Sequence, residues 1–141
     1  MDAWIVRIGT SHPATTRATF GLAMALVALN DDDKAELLLR RALTAFQLQL
    51  GGRHKDTIAC IHELASFLVK QASYKEAEHL LWREVALCEE MFGANHHKTL
   101  TVGHLLGTVL LETNALDEAH SLLQKIFVGR ETLLGSRYLH I

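Results

Sequence analysis

The sequence predicts an all-α protein, a solenoid of helix-turn-helix units, and three observations carry that expectation. Glycine recurs every 42 residues, at Gly9, Gly51, Gly93 and Gly135, and six further columns keep the same interval without an insertion. They are His12, His54 and His96; Thr15, Thr57 and Thr99; Leu22, Leu64 and Leu106; Leu26, Leu68 and Leu110; Ala35, Ala77 and Ala119; and the pairs Leu38–Leu39, Leu80–Leu81 and Leu122–Leu123. Self-similarity at such a period is the signature of a repeat architecture. Within each unit apolar residues fall at the three-and-four spacing of a helical stripe. Finally, the chain has 1 proline, so little interrupts long helices.

Each element follows from local signals. Pro13 opens the first helix, where its missing N–H does no harm, and that helix runs over about 13–29. Asn30–Asp31 breaks it, and Asp31 is placed to cap a second helix over about 32–49. In the second unit Ile58, Ile61, Leu64, Ala65, Leu68 and Val69 stripe a helix over about 55–71, Ala72–Ser73 breaks it, and Ala77, Leu80, Leu81, Val85 and Cys88 stripe the next over about 74–91. Gly93 stops that helix by taking the left-handed conformation. The third unit repeats the scheme over about 97–113 and 116–133, with its break at Asn114. Ala23, Ala65 and Gly107 in the first helix of each hairpin, and Ala35, Ala77 and Ala119 in the second, are small where two helices must approach. The repeats therefore lie at about 8–50, 51–92 and 93–134 of a single domain spanning 1–141. Residues 1–8 align with 43–50 and read as half of a preceding helix, and residues 134–141 read as the start of a fourth unit.

Composition narrows the class further. The 141 residues are 49% hydrophobic and 21% charged, a folding composition, and the formal net charge of -2 leaves no basic field for nucleic acid or an anionic membrane. Two cysteines make no disulfide framework and suit a reducing, cytoplasmic setting. The longest apolar run, Phe20 to Leu29, is half of what a membrane span needs. A mean hydropathy of +0.12 points to apolar surface that something covers.

Leu50-Gly51, His54 and Thr57, then Leu64-Ala65 and Leu68, then Lys75 to Glu78 with Leu80-Leu81, form a pattern that resembles the long tetratricopeptide repeat of kinesin light chains and related proteins. The resemblance covers residues 8 to 135 and implies a right-handed superhelical solenoid of three helix-turn-helix repeats. The first helix of each repeat (the A helix) would line a concave side and the second (the B helix) the outer side. The family's glycine between A and B helices is replaced by Asn30, Ala72 and Asn114. Asn tolerates a left-handed turn whereas Ala72 is strained there, so the second turn is expected to differ. The family's paired asparagines before Leu-Ala are also absent, being Phe20-Gly21, His62-Glu63 and His104-Leu105 here.

Function follows from the same resemblance. Members hold peptides or helices of partner proteins in the concavity, which implies a protein–protein interaction scaffold with no enzyme activity. The groove-facing columns are Arg17, Phe20, Met24 and Val27 in the first repeat; Ala59, His62, Ser66, Val69 and Lys70 in the second; and Thr101, His104, Thr108, Leu111 and Glu112 in the third. An amphipathic segment anchored by Phe20 and Met24 suits such a groove. His62 and His104 share a column and make pH-sensitive binding an expectation. The alternative is a structural self-assembly module, a dimer or stack joined through terminal repeat faces, since the helix carrying Leu122, Leu123, Ile126, Phe127 and Leu133 is expected to expose an apolar side.

Other chemistries find no support. No catalytic motif is present, and Cys60 and His62 lie on nearly opposite sides of one helix. No cofactor is implied. His12, His54 and His96 read as helix caps and not as metal ligands. Stacked helices place equivalent residues ~8–10 Å apart, whereas nitrogens sharing one zinc ion lie within ~4 Å. Arg40-Arg41 is a single basic pair, which gives no register for nucleic acid, and Asp31-Asp32-Asp33 reads as solvated acids at a helix start. Trp4 and Trp82 are expected to pack.

Overall fold

Six α-helices account for the architecture among the residues that the computed structural model describes, 12–139 for the backbone and 12–134 for side chains. They are α1 (Pro13–Ala28), α2 (Asp32–Leu50), α3 (Lys55–Lys70), α4 (Tyr74–Phe92), α5 (His97–Glu112) and α6 (Leu116–Leu139). No strand occurs among them. The half-helix expected at 1–8, with Trp4, lies outside the described residues. The chain divides into two compact units, Met1–Phe67 and Leu68–Ile141, with the division inside α3.

The turn between A and B helices takes one form three times. Asn30, Ala72 and Asn114 have φ of 62°, 59° and 65°. After each, the next N–H reaches back five residues: Asp31 to the Leu26 carbonyl at 2.9 Å, Ser73 to Leu68 at 2.8 Å, Ala115 to Leu110 at 2.9 Å. The left-handed residue itself donates to the carbonyl three residues back, and the two bonds together are a Schellman cap. The expected departure at Ala72 is therefore corrected. The backbone bonds and the packing beyond them hold alanine in a conformation that its β-carbon disfavours. The cap expected from the Asp31 side chain is also corrected. Asp31 sits at the N-cap without a side-chain cap bond, as does Ser73, because φ/ψ of −89°/73° and −85°/65° are far from the extended geometry that aims a side chain at the helix start. The Asp31 carboxylate instead lies 3.8 Å from Lys34 Nζ.

The turn from one repeat to the next is built from the recurring Gly, His and Thr. Gly51 and Gly93 adopt φ of 82° and 98°, where any β-carbon is strained. Six residues on, the buried Thr57 and Thr99 hydroxyls donate to the glycine carbonyls, each at 2.8 Å. The imidazole Nδ1 of His12, His54 and His96 accepts the N–H of Ala14, Asp56 and Lys98 at 3.0–3.1 Å, capping the A helices. Gly135 departs from this scheme, since α6 continues through it to Leu139 and does not stop near 133. Glycine permits the left-handed turn without compelling it. Positions 138 and 141 hold Tyr and Ile, which supply neither the imidazole acceptor nor the hydroxyl that lock the other two turns.

Packing follows the small residues. α1 packs on α2 in the first unit, and α5 packs on both α4 and α6 in the second. Ala23, Ala35, Ala65, Ala77 and Ala119 are all fully buried. In the third hairpin the approach is closer still: a β-carbon on Gly107 would fall 2.7 Å from Leu123 Cγ, and one on Gly103 would fall 2.7 Å from Ile126 Cδ1. Ile126 is thus buried inside the hairpin and does not belong to the exposed face expected of it, whereas Phe127 and Leu133 are exposed as expected.

Three substitutions probe this packing, each read by thermal or urea unfolding. Gly107→Leu should cost about 1–3 kcal/mol by overpacking, while Gly21→Ala, in an open stretch of α1 with nothing within 4 Å, should gain about 0.5–1 kcal/mol from helix propensity. Ala72→Gly should gain about 1 kcal/mol by relieving the left-handed alanine; a loss there would mean that the turn is not strained.

Candidate functional site

The A helices present the candidate partner-facing columns, and each unit holds its own share. In the first unit Arg17, Phe20, Met24 and Val27 lie on α1, and Ala59, His62 and Ser66 on α3. Arg17 is exposed, and its Nε donates to Asp56 Oδ2 at 2.8 Å, tying α1 to α3. The same carboxylate oxygen stands 3.8 Å from His54 Nδ1. Phe20 is half-buried, edge-on to Phe46 with ring centroids 6.3 Å apart, so it packs in the first hairpin and offers only part of its ring to solvent. Met24, Val27, His62 and Ser66 are likewise half-buried, and Ala59 is exposed.

In the second unit Val69 is half-buried and Lys70 exposed at the end of α3, while Thr101, His104, Thr108, Leu111 and Glu112 are all exposed on α5. Thr101 and Thr108 donate their hydroxyl protons one turn back, to the His97 carbonyl at 2.8 Å and the His104 carbonyl at 3.1 Å. They therefore present methyl groups and oxygen lone pairs. Beside the exposed Leu111, this gives α5 an amphipathic face able to accept hydrogen bonds.

The remaining chemistry is structural. Burial pushes the Cys60 thiol up to about 12, with the Glu63 carboxylate adding to the rise. Burial and then Glu84 push Cys88 up to about 11 against the opposing charge of Lys98. Cys60 donates weakly to the Leu39 carbonyl at 3.6 Å. Among the described residues no three His, Cys, Asp or Glu side chains converge as metal ligands would. A wide-open hollow of about 440 Å³ beside α6 is lined by residues including Asn95, Gln124, Lys125 and Gly129, which provide no acid–base pair. Trp82 was expected to pack, yet it is an exposed aromatic on α4. Its column also holds Arg40 and Gln124, and that polar company is the signal that could have marked it as solvent-facing.

A hairpin repeat with left-handed turns, small residues at the helix crossings and capped A helices defines a class, and the comparisons give it a family. The Tetratricopeptide repeat family model matches residues 57–127, half of the chain, and the chain belongs to this family. Among solved structures it is similar to the nearly identical TPR-like repeats of a Podosopora anserina protein assigned as a kinesin light chain, with a TM-score of 0.69 and 25% identity over 82% of this chain and 55% of that one. A form of the same repeats with one glutamine replaced by methionine gives 0.70 at the same identity and coverage. BtubC (BKLC) from P. vanneervenii shares the fold with a TM-score of 0.78 and 16% identity, over 86% of this chain and 48% of that one. The chain thus spans about half the length of the structures it matches. No curated protein matches it in sequence. Tetratricopeptide repeats commonly mediate protein–protein interaction, and scaffolds of this family are typically non-enzymatic. No helix among the described residues is long and apolar enough to cross a membrane.

The buried thiols set a further expectation. The folded chain should resist alkylation at neutral pH at both cysteines, with labelling appearing on unfolding and followed by mass spectrometry. The sign with pH follows from the raised values. The folded chain holds these protons more tightly than the unfolded chain, whose thiols titrate near 9.0, so their contribution is intact below pH 9 and is lost as the pH rises towards 11 and 12. Urea midpoints measured between neutral pH and pH 10 should fall, and Cys60→Ala should lessen the fall.

Proposed function

We propose that the chain is an interaction scaffold that binds amphipathic segments of a protein partner on the A-helix faces of its units, the side that the tetratricopeptide fold offers to partners. One observation supports this most directly. On α5, Thr101, His104, Thr108 and Leu111 stay exposed, while the alternating positions Val102, Leu106 and Val109 are buried. The fold does not use these columns, so their side chains are available to a ligand. On α1 the half-buried Met24 and Val27 supply apolar contact and Arg17, held by Asp56, supplies charge. The free thiols are in keeping with a reducing, cytoplasmic setting. The Podosopora anserina relative carries the kinesin light chain assignment; for this chain the fold and the exposed columns support peptide binding and not a motor.

A displayed library of helical peptides, selected on the full chain, tests the reading. His104→Ala with Leu111→Ala removes two exposed side chains, so helicity by circular dichroism should not change. Capture of a selected peptide should weaken about tenfold or more, as truncation of a contact worth upwards of ~1.4 kcal/mol requires. Selection of no binder, or a binder indifferent to this pair and to Met24→Ala, would overturn the proposal.

A further inference from the structure

Each unit contains one joint at which a B helix meets the A helix of the following repeat, and the two joints use the same columns. In the first unit α2 brings Leu39, Leu43 and Phe46 and α3 brings Cys60, Leu64 and Phe67; the Cys60 bond to the Leu39 carbonyl shows the helices in contact there. In the second, α4 brings Leu81, Val85 and Cys88 to α5, which brings Val102, Leu106 and Val109. All twelve side chains are buried. The equivalent stripe on α1 is Ala18, Leu22 and Ala25, 42 residues before the α3 set, and the equivalent stripe on α6 is Leu123, Phe127 and Arg130, 42 residues after the α4 set. Both are open. Leu22 is 56% exposed where Leu64 and Leu106 are 1% and 0%, and Phe127 is 62% exposed where Leu43 and Val85 are 8% and 6%. Among the described residues, one chain therefore carries both halves of its own repeat joint, each largely exposed.

We propose that a second copy of this chain supplies the counterpart, the α6 stripe of one molecule docking on the α1 stripe of the next in head-to-tail order. The sizes match. Phe127 is larger than the Leu43 and Val85 of the internal joints, and it would meet Ala18 and Ala25, which are smaller than Cys60 and Phe67 or Val102 and Val109. Arg130 lays its aliphatic stem across the joint with its guanidinium in water. Leu29, exposed one turn beyond Ala25, widens the apolar side of the same helix. The contact is heterologous, so it propagates as a stack or closes as a ring. It uses columns other than the proposed partner-facing ones, so the failure of one reading leaves the other standing.

Analytical ultracentrifugation of the full chain across a wide concentration range gives the first test: mass should rise with concentration beyond twice the 15.7 kDa monomer. Leu22→Glu and Phe127→Glu change exposed residues, so each should keep its helicity and sediment as a monomer alone. Mixed, they should form a dimer and nothing larger, because one intact α6 face meets one intact α1 face. Leu37→Glu, at an exposed leucine outside both stripes, should leave assembly unchanged. A monomer at every concentration would overturn the proposal, as would cover of α1 by the chain's own residues 1–11 or association that Phe127→Glu abolishes while Leu22→Glu leaves intact, the mark of an α6-to-α6 dimer.

Discussion

An A helix with apolar columns on two adjacent sides cannot bury both against one neighbour, and the rest of the fold depends on this constraint. On α5 one set, Gly103 and Gly107, faces α6 of its own hairpin, and the other, Val102, Leu106 and Val109, is buried where α4 packs from the preceding repeat. Burying a Val or Leu side chain is worth roughly 1.5–3 kcal/mol, so three such columns outweigh the ordering cost of any single turn. Stacking is thus the driving term, and helix propensity is secondary. α1 shows the same point in reverse: with little of its second side covered, only Thr16 and Ala23 of its 16 residues are buried, against eight in α5.

The turns hold the hairpins in register for that stacking. Ala72 shows how strongly. Alanine at φ 59° costs about 1–2 kcal/mol, yet the second repeat turns as the Asn30 and Asn114 repeats do. A slacker turn would shift the helix that follows it and misplace whole columns of leucines, a larger loss. The Gly, His and Thr set acts likewise between repeats, and Gly135, with Tyr and Ile at the two later places, shows that glycine without its companions leaves the helix running.

Much of this was legible in the sequence because the repeat is exact. A period of 42 without insertion put helix boundaries within one or two residues at α1 to α5, and the small residues at 23, 35, 65, 77, 107 and 119 marked the helix crossings. Three features were not legible, for physical reasons. Residue type alone cannot show that tertiary packing overrides the conformational preference of Ala72. It cannot show that Asp31, following a left-handed residue, makes no side-chain bond to the helix start. Nor can it divide Ile126 from Phe127, neighbours in sequence that lie on different sides of α6, one over Gly103 and one in solvent. For the candidate site, the columns came from the repeat but the engagements did not: periodicity places Arg17 and Phe20 in the candidate columns without revealing that Asp56 and Phe46 already hold them.

Those engagements bear on how such a face recognises anything. A side chain held by a neighbour loses less conformational entropy when a ligand arrives, so under the proposed function Arg17 on its Asp56 partner and the two threonines bonded to their own helix would meet a ligand already ordered. The columns that build the two joints hold buried apolar side chains in both, whereas Arg17, Ala59 and Thr101, one column across three repeats, differ in charge, size and polarity without disturbing a turn or a joint. Structural demand and chemical variety are thus sorted onto different sides of the same helices. That separation lets a repeated framework carry a surface that does not repeat, as the proposed recognition requires.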